Sequence, residues 1–139
     1  MRYLGLDLGS KTLGMALSDK TGIIASSFKI VRHNEEYDRL VEEVKNVVDE
    51  YQVEGIVLGL PKNMNNSIGF KGELSIDFKK KLEKVLDIPI YLEDERLTTK
   101  EAENILIRND TSRKKRKKVI DSMAASIILQ SYLDKRKEK

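Results

Sequence analysis

One carboxylate inside an apolar strand constrains this chain more than any other feature. Tyr3 to Leu8 is mostly apolar and carries Asp7 near its end; Gly9 breaks the run, and a second apolar stretch begins at Leu13. Two such runs around a glycine turn read as a β-hairpin. A charge at the end of a buried strand is costly unless something compensates it. A metal ion, a phosphate held through the glycine turn, or the neighbouring Lys11 would do so. Capping of the Gly9-Ser10 turn would explain Asp7 with no chemistry at all. The hairpin alone leaves these readings level, so the rest of the chain decides.

At 139 residues the chain reads as one domain, 1–139, long enough for a real core. No stretch is long and apolar enough to span a bilayer, and the N-terminus lacks a signal-peptide layout. With no cysteine and His33 as the one histidine, thiolate and His-rich metal sites are excluded. A metal here needs oxygen ligands, which points to Mg²⁺ or Mn²⁺. The net charge of +3 is unevenly placed: Arg113, Lys114, Lys115, Arg116, Lys117 and Lys118 are consecutive, and more cations follow from Lys135 to Lys139. Such runs are usually solvated helix ends or frayed tails. They become a phosphate-binding patch when they lie beside other site residues.

The hairpin is followed by a turn, Asp19 to Gly22, and a third strand, Ile23 to Val31. Tyr37, Leu40, Val41, Val44, Val47, Val48 and Tyr51 then recur at helical spacing, with charges on the other face. Gly55 to Leu60 is apolar without alternation, as expected of a parallel strand buried on both faces. Pro61 to Gly72 is the longest loop. A weaker helix follows, with Leu74, Phe78, Leu82, Val85 and Leu86 inward, and Ile90 to Leu92 is the fifth strand. Thr98 or Thr99 caps a third helix whose apolar side is Ala102, Ile105 and Leu106. The basic run precedes a last, largely apolar and therefore buried helix, Val119 to Leu133. The pattern is an α/β protein: a five-stranded mixed sheet, its first three strands an antiparallel meander, flanked by helices.

Acidic residues fall where burial should exclude them. Asp7 ends the first strand, Glu93, Asp94 and Glu95 end the fifth, and Asp121 stands near the start of the last helix. Ala124 and Ala125 lie one turn beyond Asp121, and their small side chains would let that helix lie close to the sheet. Ligands of open α/β sheets sit beyond the carboxyl ends of strands, where Asp7 and Glu95 both are. Three converging carboxylates repel one another unless a cation joins them. Each also has a plain explanation: Asp121 as an acid in a helix's first turn, Glu93 and Asp94 as a solvated loop face. Together, with a polycation just before Asp121, they point to phosphodiester chemistry on nucleic acid.

At these residues the sequence resembles the YqgF/RuvX family, the pre-16S rRNA nucleases also called Holliday junction resolvase-like proteins. The matching stretches are Gly5-Leu-Asp-Leu-Gly-Ser-Lys11, Leu13-Gly-Met-Ala-Leu-Ser-Asp19, Val57-Leu-Gly-Leu-Pro-Lys-Asn-Met64, Asp94-Glu-Arg-Leu-Thr-Thr99 and Ile120-Asp-Ser-Met-Ala-Ala125. The resemblance implies a ribonuclease H-like fold, one or two divalent ions, a bacterial cytoplasm, and trimming of the 5′ end of precursor 16S rRNA, with ribosomal particles among the expected partners. It carries the family's acidic positions onto Asp7, Glu95 and Asp121, with Asp94 as the alternate. Lys11, Arg96 and the 113–118 run are the expected nucleic-acid contacts; an ion pair with Glu93 or Asp94 is the plain alternative for Arg96. Two departures stand out. Position 12 is Thr where the family commonly has Arg. The fourth strand ends Gly59-Leu60-Pro61 without the carboxylate usual in true junction resolvases, which weakens branched DNA as the substrate. A monomer or weak homodimer is expected. Two rivals remain: a non-catalytic RNA-binding assembly factor, and an ATP-binding protein, since Asp7 to Lys11 also resembles the first phosphate motif of actin-like ATPases.

Overall fold

The computed structural model of the chain describes residues 1–61, 68–94 and 113–137, with side chains from 123 to 136 in the last segment. The elements are β1 (Tyr3–Leu8), β2 (Thr12–Ser18), β3 (Ala25–Arg32), α1 (Tyr37–Tyr51), β4 (Gly55–Leu60), α2 (Phe70–Glu83), β5 (Ile90–Asp94) and α3 (Arg113–Lys137). The sheet order is β3-β2-β1-β4-β5. The first three strands pair antiparallel, and β4 joins β1 and β5 in parallel. The meander and the buried parallel strand are therefore both present, and every residue of β4 is buried. The expected third helix, capped at Thr98 or Thr99, lies outside the described residues.

Strand alternation divides the core into two layers. Leu4, Leu6, Ile56 and Leu58 pack with Leu40, Val44 and Val47 of α1 and with Phe78 and Leu82 of α2. Tyr3, Ala16 and Val57 face the other way, against Ala125, Ile128, Leu129 and Leu133 of α3. Each fully buried aliphatic side chain in these layers contributes about 1.5–3 kcal/mol.

Several boundaries differ from the sequence reading, and three have a local reason. Ile23 and Ile24 are exposed turn residues because their N–H groups donate to the Asp19 carboxylate at 2.9 and 3.0 Å, so β3 begins at Ala25. Those two bonds, the Ile24 amide foremost, and the Thr21 hydroxyl hold the Asp19 carboxyl well below the usual carboxylate range. α2 begins at Phe70, and Gly72 belongs to it rather than to the loop. A Cβ on Gly72 would meet the Pro61 carbonyl oxygen at 2.7 Å, so the glycine serves close packing. Val85 is exposed because α2 ends at Glu83, before the helical pattern reaches it.

The largest difference is α3. It starts at Arg113, so the basic run is part of the helix rather than a segment before it. Lysine and arginine are good helix formers, and a run of them need not end a helix. Position 121 is consequently two turns inside α3, and the reading of Asp121 as a first-turn acid fails.

What brings α3 down onto the sheet is missing side chains on the sheet. A Cβ on Gly5 would lie 2.7 Å from Leu129 Cβ and 2.8 Å from the Ala125 carbonyl oxygen. The helix contacts β1 in reverse order. Arg136 lies 5.1 Å over the Tyr3 ring, Tyr132 meets Tyr3 edge-on at 5.8 Å, Leu129 covers Gly5, and Ala125 sits near Gly14 and Asp7. The turn before Ala125, which carries position 121, therefore lies toward the C-terminal edge of β1.

The β1–β2 turn is strapped from below by His33, which is 7% exposed. Its backbone N–H donates to the Lys11 carbonyl at 2.9 Å, and its Nε2 bonds the Gly9 carbonyl at 2.9 Å. The Glu35 N–H donates to Nδ1 at 3.0 Å, so both ring nitrogens are engaged. Both sets of contacts can be tested by substitution. Gly5→Ala should lower the unfolding free energy by about 1–3 kcal/mol, because the helix backbone must move; an unchanged denaturant midpoint would mean that α3 does not rest on Gly5. His33→Ala should also lower that midpoint, by about 1–3 kcal/mol for the groups left unpaired, and His33→Gln by less.

Candidate active site

Asp7 stands half-buried at the C-terminal end of β1. Its partner across β2 is Gly14. On the other side Leu6 pairs with Leu58, which places Gly59 beside Asp7 in β4. A Cβ built on Gly14 would be 3.7 Å from both Asp7 Cβ and Ala125 Cβ. Among the described residues, glycine, glycine and alanine are thus the small neighbours of the carboxylate. Among the described residues nothing donates a hydrogen bond or a positive charge to Asp7. The compensation by Lys11 considered from the sequence is not made: Lys11 is exposed, on the turn that His33 holds.

The structure brings Asp7 to the same region as the helix turn carrying position 121, whose side chain is outside the described residues. Glu95 and Arg96 also lie outside them, as do the side chains of Arg113 to Lys118. Asp94 is described: it pairs with Leu60, and by strand alternation both belong to the face of α1 and α2, whereas Asp7 belongs to the face of α3. Glu93 does share Asp7's face, but it fits neither the converging carboxylates nor the solvated loop face given as its plain explanation. It is 5% exposed, within β5, and its carboxylate takes an ion pair from Lys135 and a hydrogen bond from Ser131 at 3.4 Å. Lys135 is correspondingly a helix residue with a buried partner, not part of a frayed tail.

Sequence reasoning missed Gly5, Gly14 and Gly59 as the residues that shape the site. Their signal was present in the β-branched-poor runs Gly5-Leu-Asp and Leu13-Gly-Met, where a glycine inside a strand marks close approach of another backbone. Chemically, the rim offers a hard oxygen donor that is unpaired among the described residues, small neighbours beside it, and an exposed ammonium on an anchored turn. Carboxylate oxygens at such a rim fit a hard divalent cation. Among the described residues no group of three acids or histidines is assembled, since two of the candidate acids fall outside them.

Comparison with known proteins agrees with this geometry. The family described as "RuvX: Holliday junction resolvase" matches residues 1–135. A Bacillus subtilis protein named "Putative pre-16S rRNA nuclease" is 53% identical over 135 residues, covering 96% of this chain and 98% of that protein. Among solved structures, Thermus thermophilus RuvC in complex with a Holliday junction substrate is similar in fold, with a TM-score of 0.63 at 16% identity, over 100% of this chain and 97% of that one. A Thermus thermophilus ROK hexokinase matches less completely, with a TM-score of 0.50 at 26% identity, and this chain covers 38% of it. The ribonuclease H-like α/β fold expected from the sequence is the observed one, and the chain belongs to the RuvX family.

Proposed function

We propose that this chain is a metal-dependent nuclease that processes the 5′ end of precursor 16S rRNA in the bacterial cytoplasm, on RNA alone or within ribosomal particles. The observation that carries the reading is Asp7: a half-buried carboxylate without a partner among the described residues, at the strand edge toward which α3 carries position 121. Asp7, Glu95 and Asp121 are the catalytic carboxylates. Asp94 belongs to the opposite face of the sheet from Asp7, which argues against Asp94 as the alternate. One or two Mg²⁺ or Mn²⁺ ions held by these oxygens would supply Lewis acidity and a nucleophilic water.

The remaining roles belong to the chain's own cations. Lys11, on its anchored turn, and Arg96 contact phosphate oxygens near the reacting bond. Arg113 to Lys118, now read as part of α3, form a cationic stretch of helix that follows the RNA backbone. Among the described residues no helix is long and apolar enough to cross a membrane.

A second reading, cleavage of branched DNA, is favoured by the family's description and by the resolvase fold. Against it, β4 ends at Leu60 with Pro61 next, and offers no carboxylate. An ATPase is disfavoured because residues 1–135 match the RuvX family, whereas the hexokinase shares 26% identity at a TM-score of 0.50.

Two experiments test the proposal. Asp7→Asn should lower Mg²⁺-dependent cleavage of RNA spanning the precursor 5′ end by about 100- to 1000-fold, the scale of removing one interaction with transition-state charge. Unchanged cleavage would remove Asp7 from the site, and faster cleavage of a four-way junction than of RNA would favour the second reading. Replacing Lys114, Lys115 and Lys117 by Gln should reduce the slope of log affinity against log salt by about 0.7 for each phosphate of single-stranded RNA that is no longer neutralised.

A further inference from the structure

The edge of the sheet at β5 carries a groove that the reaction as proposed does not use. Its volume is about 450 Å³, and it runs across the strand from Lys79 of α2 to Tyr132, Lys135 and Arg136 of α3. β5 is a terminal strand, and Tyr91 and Leu92 on it are 38% and 37% exposed. The Tyr91 ring stacks on Tyr132 at 5.1 Å with an interplanar angle of 24°, and Tyr132 in turn meets Tyr3 edge-on at 5.8 Å. Three rings thus form a column that starts in the core and ends at an exposed tyrosine. Burial first, and then Tyr91, pushes the Tyr132 hydroxyl up to about 12.

The charges around this column are of one sign in effect. Glu93 is the acid lining the groove, and Lys135 and Ser131 take its charge. Among the described residues Arg136 contacts the Tyr3 ring and the Met1 sulfur, at 3.9 Å, and no carboxylate pairs with it. Lys79 pairs with Glu83 at 3.4 Å on the surface, an interaction readily exchanged for a phosphate. An exposed aromatic ring on a rigid support, flanked by cations, is the arrangement that binds single-stranded nucleic acid, because every base has a face to stack. The groove is also close to the reacting edge. Tyr91 is level with Val57 of β4, two strands across and two residues back from Asp7, which is about 12 Å by sheet geometry.

We propose that the β5 groove is a subsite for an unpaired nucleotide of the RNA, with its base stacked on Tyr91 and its phosphates on Arg136 and Lys79. This rests on the nuclease reading for its substrate. A second copy of the chain paired along β5 is the competing occupant. A two-fold contact there would set Lys79, Lys135 and Arg136 of each copy against the same cations of the other, which disfavours it.

The experiment titrates fluorescently labelled hairpin RNA, with and without a single-stranded 5′ extension, into wild type, Tyr91→Ala, Tyr91→Phe and Arg136→Gln. Circular dichroism and melting check that each variant is folded. Wild type should prefer the extended RNA. Tyr91→Ala should weaken that complex by about tenfold while leaving the blunt hairpin unaffected, and Tyr91→Phe should restore most of the affinity. Arg136→Gln should weaken the extended complex with a smaller salt dependence. Equal binding of the two RNAs by wild type, no effect of Tyr91→Ala, or a dimer in sedimentation that Tyr91→Ala dissociates would each overturn the subsite. Tyr91-dependent binding without any cleavage would keep the subsite and refute the nuclease, so the two proposals fail separately.

Discussion

The seating of α3 on Gly5 is the contact on which the site depends. The Ala125 carbonyl and the Leu129 side chain occupy the volume a side chain at position 5 would fill. Because the helix lies that close, Ala125 reaches the Gly14–Asp7 pair, and the preceding turn lies toward the C-terminal edge of β1. Move the helix outward by the thickness of a methyl group and the buried layer of Tyr3, Val57, Ile128 and Leu133 loosens with it. Packing of the core and placement of the candidate site are therefore one constraint, not two.

Two carboxylates on the same face of the sheet show what the fold does with charge. Glu93 is almost fully buried, and it is answered by Lys135 and Ser131, so its desolvation is offset within the protein. Asp7 is less buried, ringed by Gly14, Gly59 and Ala125, and has no such answer among the described residues. A chain selected only for stability would treat the two alike. The unanswered acid sits at the carboxyl edge of parallel strands, where α/β sheets present their ligands. Its described neighbours are small residues.

Much of this was legible in the sequence, and what was not has physical causes. The unbroken apolar run from Gly55 to Leu60 announced a buried parallel strand, and the spacing from Tyr37 to Tyr51 announced α1, because both patterns report burial directly. Ala125 was legible as a close-approach residue, but its partner Gly5 was not, since a glycine's role depends on what another segment brings to it. The start of α3 was hidden because Arg113 to Lys118 has no apolar periodicity, although the backbone there is helical. Glu93 looked like part of an acidic cluster; its pairing with Lys135 spans 42 residues and leaves no local trace. The aromatic column of Tyr3, Tyr91 and Tyr132 was invisible for the same reason.

On the proposed function, residues 7 and 121, from opposite ends of the chain, hold one metal ion in common. Titration of Mn²⁺ into wild type, Asp7→Asn, Asp121→Asn and the double variant, followed by electron paramagnetic resonance of the free ion, tests this most directly. A shared ion predicts that either single substitution abolishes most of the high-affinity binding and that the double weakens it little further. Full binding in either single variant, or independent additive effects, would contradict it.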